Sequence, residues 1–109
     1  METNLFINYL TLTDRYKTIN NWTDDTQQII EAHGTFLKTL GEEGVLIFAG
    51  RTLLQPNHKN LFGIAVIKAS SLDAAKQIFG KDPAIKAHIQ QSLVLPFSMG
   101  IHYFDNLKE

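Results

Sequence analysis

The sequence contains no cysteine, which removes thiolate nucleophiles, Cys-ligated metals and disulfides. Few other groups remain for chemistry. No serine sits in a Gly-x-Ser-x-Gly elbow, and no two histidines have the His-x-x-x-His spacing of a helical metal site. Gly41-Glu42-Glu43-Gly44 reads as a helix stop, not as a phosphate cradle. Four histidines are left: His33, His58, His88 and His102. His33 stands out because it lies three or four residues from Ile29, Ile30 and Leu37, within an apolar stripe of helical spacing. A partly desolvated imidazole there can act as acid or base near neutral pH, and a carboxylate can hold its tautomer. A core histidine bonded to a carbonyl is the plainer alternative for the same spacing.

Asp82 precedes Pro83, a helix start in which Asp is the cap, worth about 1 kcal/mol. A capping carboxylate keeps a second oxygen for a neighbour, so Asp82 can approach His33 if their helices share a sheet face. Spacing leaves that contact open. Arg51, near the end of an apolar strand, suits an edge or dimer ion pair, or an anionic substrate. His88, on the short helix after Asp82, either lines the same cleft or faces solvent. Ser98 can point into a cleft. His58 lies in a polar turn and reads as solvated, while His102 alternates with Ile101 and Tyr103 and suits a structural or dimer contact. Tyr16 and Trp22 serve either as a lid or as loop anchors.

These groups need elements to hold them. The apolar and aromatic run 4–12 predicts a strand, and the polar stretch 13–22 a loop. Thr23 or Asp25 can cap a helix running to about Glu43, with Asp25 and Gln28 at capping-box spacing and Gly44 as the stop. Gly34 and Gly41 inside it predict either a break in regularity or close packing on the sheet. Residues 45–54 and 61–69 predict a β-hairpin around the turn 55–60. Ser70 or Ser71 caps a second helix ending at Gly80. A short helix follows Asp82, and residues 92–104 predict a long last strand, with Pro96 demanding an edge or a bulge. The order β-α-β-β-α-β is that of a ferredoxin-like α+β fold: four antiparallel strands with the helices on one face.

Composition narrows the classes further. With 109 residues the chain makes one domain, 1–109, able to bury roughly two-thirds of its unfolded surface. Ten basic and eleven acidic residues leave a net charge of −1, so no broad cationic field favours nucleic acid or anionic lipid. No apolar run approaches the ~20 residues of a membrane span, and the start Met-Glu-Thr-Asn lacks the basic region of a signal peptide. A soluble cytoplasmic protein is expected.

The strands are apolar on both faces. Val45, Ile47, Ala49 and Leu53 alternate with Leu46, Phe48 and Leu54. Leu61, Ala65 and Ile67 alternate with Phe62, Ile64 and Val66, and Leu93, Leu95, Phe97, Met99, Ile101 and Tyr103 with Val94 and Phe104. A sheet with one wet face would alternate apolar with polar. Two helices cover one face only, so the other predicts a homodimer packed sheet face to sheet face, a dimeric α+β barrel.

Taken in order, Ala32-His33, Glu43-Gly44-Val45-Leu46 followed by Ala49-Gly50, Ser71-Leu72-Asp73-Ala74-Ala75, Asp82-Pro83 and Val94-Leu95-Pro96-Phe97 resemble the YCII-related (YciI-like) domain family. That resemblance implies a ferredoxin-like dimeric barrel and a His–Asp centred site, with His33 and Asp82 at the family positions. One related lineage is implicated in dehydrochlorination of hydroxylated aromatic rings. Three positions depart from the family pattern. Ile30 stands where an arginine is frequent, Arg51 where a proline follows Ala-Gly, and His88 where a small residue, usually glycine, follows Asp-Pro.

Two functions fit. In the first, His33 is the acid or base and Asp82 its partner in a lyase (dehydrochlorinase-type), isomerase or hydrolase step on a small cyclic or carbonyl-bearing molecule. His88, Arg51 and Ser98 would contact substrate, and no metal or cofactor is expected. In the second, the same cleft binds or senses a small ligand without chemistry. A purely structural module and a cofactor-free oxygenase are further alternatives.

Overall fold

The first strand, β1 (Leu5–Leu12), alternates as a pleated strand must. Phe6, Asn8, Leu10 and Leu12 are buried on one side, while Leu5, Ile7 and Tyr9 face the other. The computed structural model describes residues 4–108; residues 1–3, read above against a signal peptide, and Glu109 lie outside the described residues. The expected loop after β1 holds two 3-10 turns, Asp14–Lys17 and Ile19–Asn21.

Helix α1 spans Asp24–Glu42. Its cap is Thr23, whose hydroxyl accepts from the Thr26 amide while the Thr26 hydroxyl accepts from the Thr23 amide. Thr23 and Thr26, not Asp25 and Gln28, form the reciprocal box. Asp24 and Asp25 occupy the first turn, where the helix dipole favours negative charge. The helix runs unbroken through Gly34 and Gly41, and a Cβ at either would meet nothing within 4 Å. Neither glycine therefore marks close packing. Gly44, at φ +80°, ends the helix: its amide donates to the Gly41 carbonyl and the Val45 amide to the Leu40 carbonyl, the pattern of a Schellman stop.

The hairpin strands are shorter than expected, β2 at Leu46–Arg51 and β3 at Gly63–Lys68. β2 also carries a bulge. Leu46 pairs with Ile67 but Phe48 with Val66, so Ile47 is the extra residue. The bulge overturns the simple alternation. Leu46 joins Ala49 and Arg51 on the helix-facing side, and Phe48 joins Gly50 on the outer side. Helix α2 (Leu72–Phe79) begins at Ser71, whose hydroxyl accepts from the Ala74 amide. Helix α3 (Pro83–Lys86) begins at Asp82.

The last strand, β4, spans Gln90–Phe97 rather than 92–104. Its pairing with β1 ends at Leu5↔Phe97, at the first residue of β1. The chain then turns, with Gly100 at φ +62°, into a 3-10 turn at Phe104–Leu107. His102 is thus off the sheet, its ring stacked 5.1 Å from that of Phe104, which lies 5.7 Å from Phe48 on the outer face.

All pairings are antiparallel and the sheet order is β2-β3-β1-β4. Pro96 accordingly lies on an edge strand, where a missing amide is tolerated. The core forms between one sheet face and the helices: Phe6, Ala65, Ile67 and Val94 from the sheet meet Leu40 of α1 and Ala75 and Phe79 of α2. The outer face keeps Tyr9, Leu93 and Leu95 between 41% and 53% exposed, too much apolar surface in one place for scattered residues.

Candidate active site

Helix α1 presents Gln27, Ile30, His33 and Leu37 toward one end of the sheet, where β1 and β2 finish and β3 and β4 begin. Between helix and sheet lies a cleft of about 530 Å³. Leu10, Leu12, Ala49, Leu54 and Phe62 give it apolar walls, and Trp22 closes one side. The Trp22 indole N–H donates to the Tyr16 carbonyl at 2.7 Å, which fixes the ring against the loop.

His33 lines this cleft with its side chain 14% exposed. Its Nδ1 lies 2.6 Å from Asp82 Oδ2. The other oxygen, Oδ1, accepts from the Ala84 amide at 2.9 Å, capping α3. Asp82 is fully buried, a position a carboxylate holds only when its oxygens have donors. A carboxylate only accepts, so with Asp82 as carboxylate the shared proton belongs to Nδ1, and the neutral ring of that tautomer has its lone pair on Nε2. Nε2 has no hydrogen-bond partner among the described residues.

The structure brings together three of the five residues singled out from sequence. His33 and Asp82 are bonded, and Arg51 lines the same cleft from the helix-facing side of β2. It does not bring His88 or Ser98 there. His88 is exposed at the C-terminal end of α3, and its carbonyl accepts from the Thr13 hydroxyl at 2.6 Å. Its φ of +57° is left-handed. There its amide donates to the Ile85 carbonyl and the Ile89 amide to the Ala84 carbonyl, a second Schellman stop. Ser98 is exposed beyond the end of β4. Gln27 and Gln90, which sequence reasoning passed over, are polar members of the wall. Gln27 was legible as one helical turn ahead of Ile30; Gln90 had no local signal. Among the described residues no group of three or more His, Asp or Glu gathers as a metal site. No helix of the described residues is long and apolar enough to cross a membrane.

The profile of the YCII-related domain matches residues 9–98. The chain belongs to the YCII-related domain family. No curated protein matches the sequence. Among solved structures, this YCII-related chain is similar to the 5-chloro-2-hydroxyhydroquinone dehydrochlorinase of Burkholderia phenoliruptrix AC1100, solved in complex with 2,5-dihydroxybenzoquinone. The TM-score is 0.64 at 19% identity, over 88% of this chain and 95% of the other. At that identity the likeness speaks to the fold. In the YCII-related frame two of the three departures, Ile30 and Arg51, fall on the cleft wall. The third, His88, holds the left-handed position that a family glycine suits.

Proposed function

We propose that the cleft is the active site of a cofactor-free enzyme and that His33 moves a proton on a small cyclic or carbonyl-bearing molecule. The observation that carries this reading is the 2.6 Å contact between His33 Nδ1 and the buried carboxylate of Asp82, with the other side of the ring on the cleft. Nε2 accepts a proton from a substrate C–H or O–H, and Asp82 steadies the imidazolium that forms. In an elimination the electron pair freed by that proton makes the new double bond, the leaving group departs with its own bonding pair, and the proton returns to water. Isomerisation and hydrolysis use the same two residues, with the proton returned to substrate. The dehydrochlorinase of similar fold supports the elimination within this set. Asp82 is a positioning residue; His33 touches substrate.

The proposal extends to assembly and setting. The uncovered outer face, with Tyr9, Leu93 and Leu95, supports a homodimer joined face to face. A fold that uses no disulfide supports a cytoplasmic setting.

The test is to screen cyclic and carbonyl compounds, 5-chloro-2-hydroxyhydroquinone among them, for thermal shift and then for product. The expected result is turnover that His33→Ala abolishes. Asp82→Asn keeps the cap acceptor but reverses the demand on Nδ1, and should slow turnover about 100-fold or more. Full activity in His33→Ala refutes the role of His33. A ligand that binds tightly and is always recovered intact makes the cleft a binding or sensing site instead.

A further inference from the structure

We infer that Arg51 makes this cleft selective for small organic anions with a flat apolar body, a carboxylate or an enolate among them. The inference rests on the cleft being the ligand site and names the class of ligand it takes. Arg51 lies on the helix-facing side of β2, paired with Gly63 two residues on from the Ala49↔Ala65 pair.

The charge on the cleft wall is cationic, and the opposing charge is the buried Asp82 carboxylate behind the His33 ring. No Asp or Glu lines the cleft, and Arg51 has no ion-pair partner among the described residues. Asp82, the nearest acid in the argument, is not on the wall and already has both oxygens occupied. An adjoining recess of about 280 Å³ shares Thr11, Leu12, Pro56 and Leu61 with the cleft and adds Lys17, His58 and Lys59. Lys17 faces Asp14 at 3.1 Å, which leaves Lys59 as a second uncompensated cation at the mouth. In a chain of net charge −1 this local excess is a property of the site and not of the molecule. Arg51 is exposed beside these apolar walls, so its guanidinium is accessible to a ligand anion and the low-dielectric walls focus its field. Its planar fork matches the two oxygens of a carboxylate. The aromatic ring of Trp22 and the aliphatic walls fit the flat body, and His33 Nε2 meets the reacting end.

The test compares 2-hydroxybenzoate with its neutral amide, 2-hydroxybenzamide, as matched probes on the full chain, by calorimetry at low and high salt. The wild-type protein should bind the acid at least about tenfold more tightly than the amide, the scale of one charge-assisted contact. High salt should narrow the gap. Arg51→Gln should erase the preference while leaving the amide's affinity unchanged, and Arg51→Lys should restore part of it. His33→Gln should keep the preference, so a failure of proton transfer and a failure of anion selection give different results. Equal binding of acid and amide by the wild type, a preference retained in Arg51→Gln, or no binding of either probe at millimolar concentration overturns the inference.

Discussion

One carboxylate does two jobs in this fold: Asp82 holds the His33 ring through Oδ2 at 2.6 Å and caps its own helix through Oδ1 at 2.9 Å. The cap fixes the carboxyl plane, and the carboxyl plane fixes the ring. Because Pro83 occupies the first helical position, the backbone entering α3 has little freedom to turn that carboxylate away. The orientation of the His33 ring, and with it the proton chemistry we propose at Nε2, is thus tied to a four-residue helix.

That coupling should be measurable as stability. His33→Ala leaves a buried carboxylate oxygen without its donor, a loss of about 1–3 kcal/mol. In an Asp82→Asn background the same substitution should cost less, giving a coupling energy of at least about 0.5 kcal/mol in urea unfolding. Strictly additive costs would mean that the contact contributes nothing to folding.

His88 occupies a left-handed position at φ +57° with an exposed side chain, where a Cβ is a burden. His88→Gly should therefore stabilise the fold by about 0.5–1 kcal/mol, net of the extra chain freedom of glycine, and raise Tm by a few degrees. His88→Ala keeps the Cβ and should give no comparable gain. A Tm for His88→Gly at or below wild type would show that the imidazole is held by something that offsets the strain.

The uncovered sheet face makes its own prediction. Light scattering should give twice the 12.3 kDa mass of one chain. Leu93→Glu or Leu95→Glu, each placing a charge within the apolar patch, should shift the mass toward a single chain without unfolding it, since both side chains are about half exposed here. A wild-type mass of one chain at micromolar concentration removes the dimer.

Much of the fold was legible because it is written in local chemistry. The apolar run of β1, Ser71 before α2, Asp82-Pro83 before α3 and Gly44 after α1 each act on their immediate neighbours, and neighbours are what a sequence displays. The two-sided apolar character of the strands also survived, as did Pro96 at an edge. What depended on distant partners did not. The Ile47 bulge exists only in the pairing of β2 with β3, and it decides that Leu46, not Ile47, shares a face with Ala49. The end of β4 at Phe97, opposite the first residue of β1, is a matter of pairing, and it leaves Ser98 and His102 off the sheet. Asn8 shows the same limit: polar in sequence, it is wholly buried between Ala65 and Val94 in the register. The meeting of His33 and Asp82 was implied by the family resemblance, but residue spacing left it open. Residue types and caps determined that each could serve, one on a helix face and one at a helix start. Only the packing of α1 beside α3 over one sheet face brought residues 49 apart in the chain to 2.6 Å, because a hydrogen bond depends on positions in space that chain spacing does not carry.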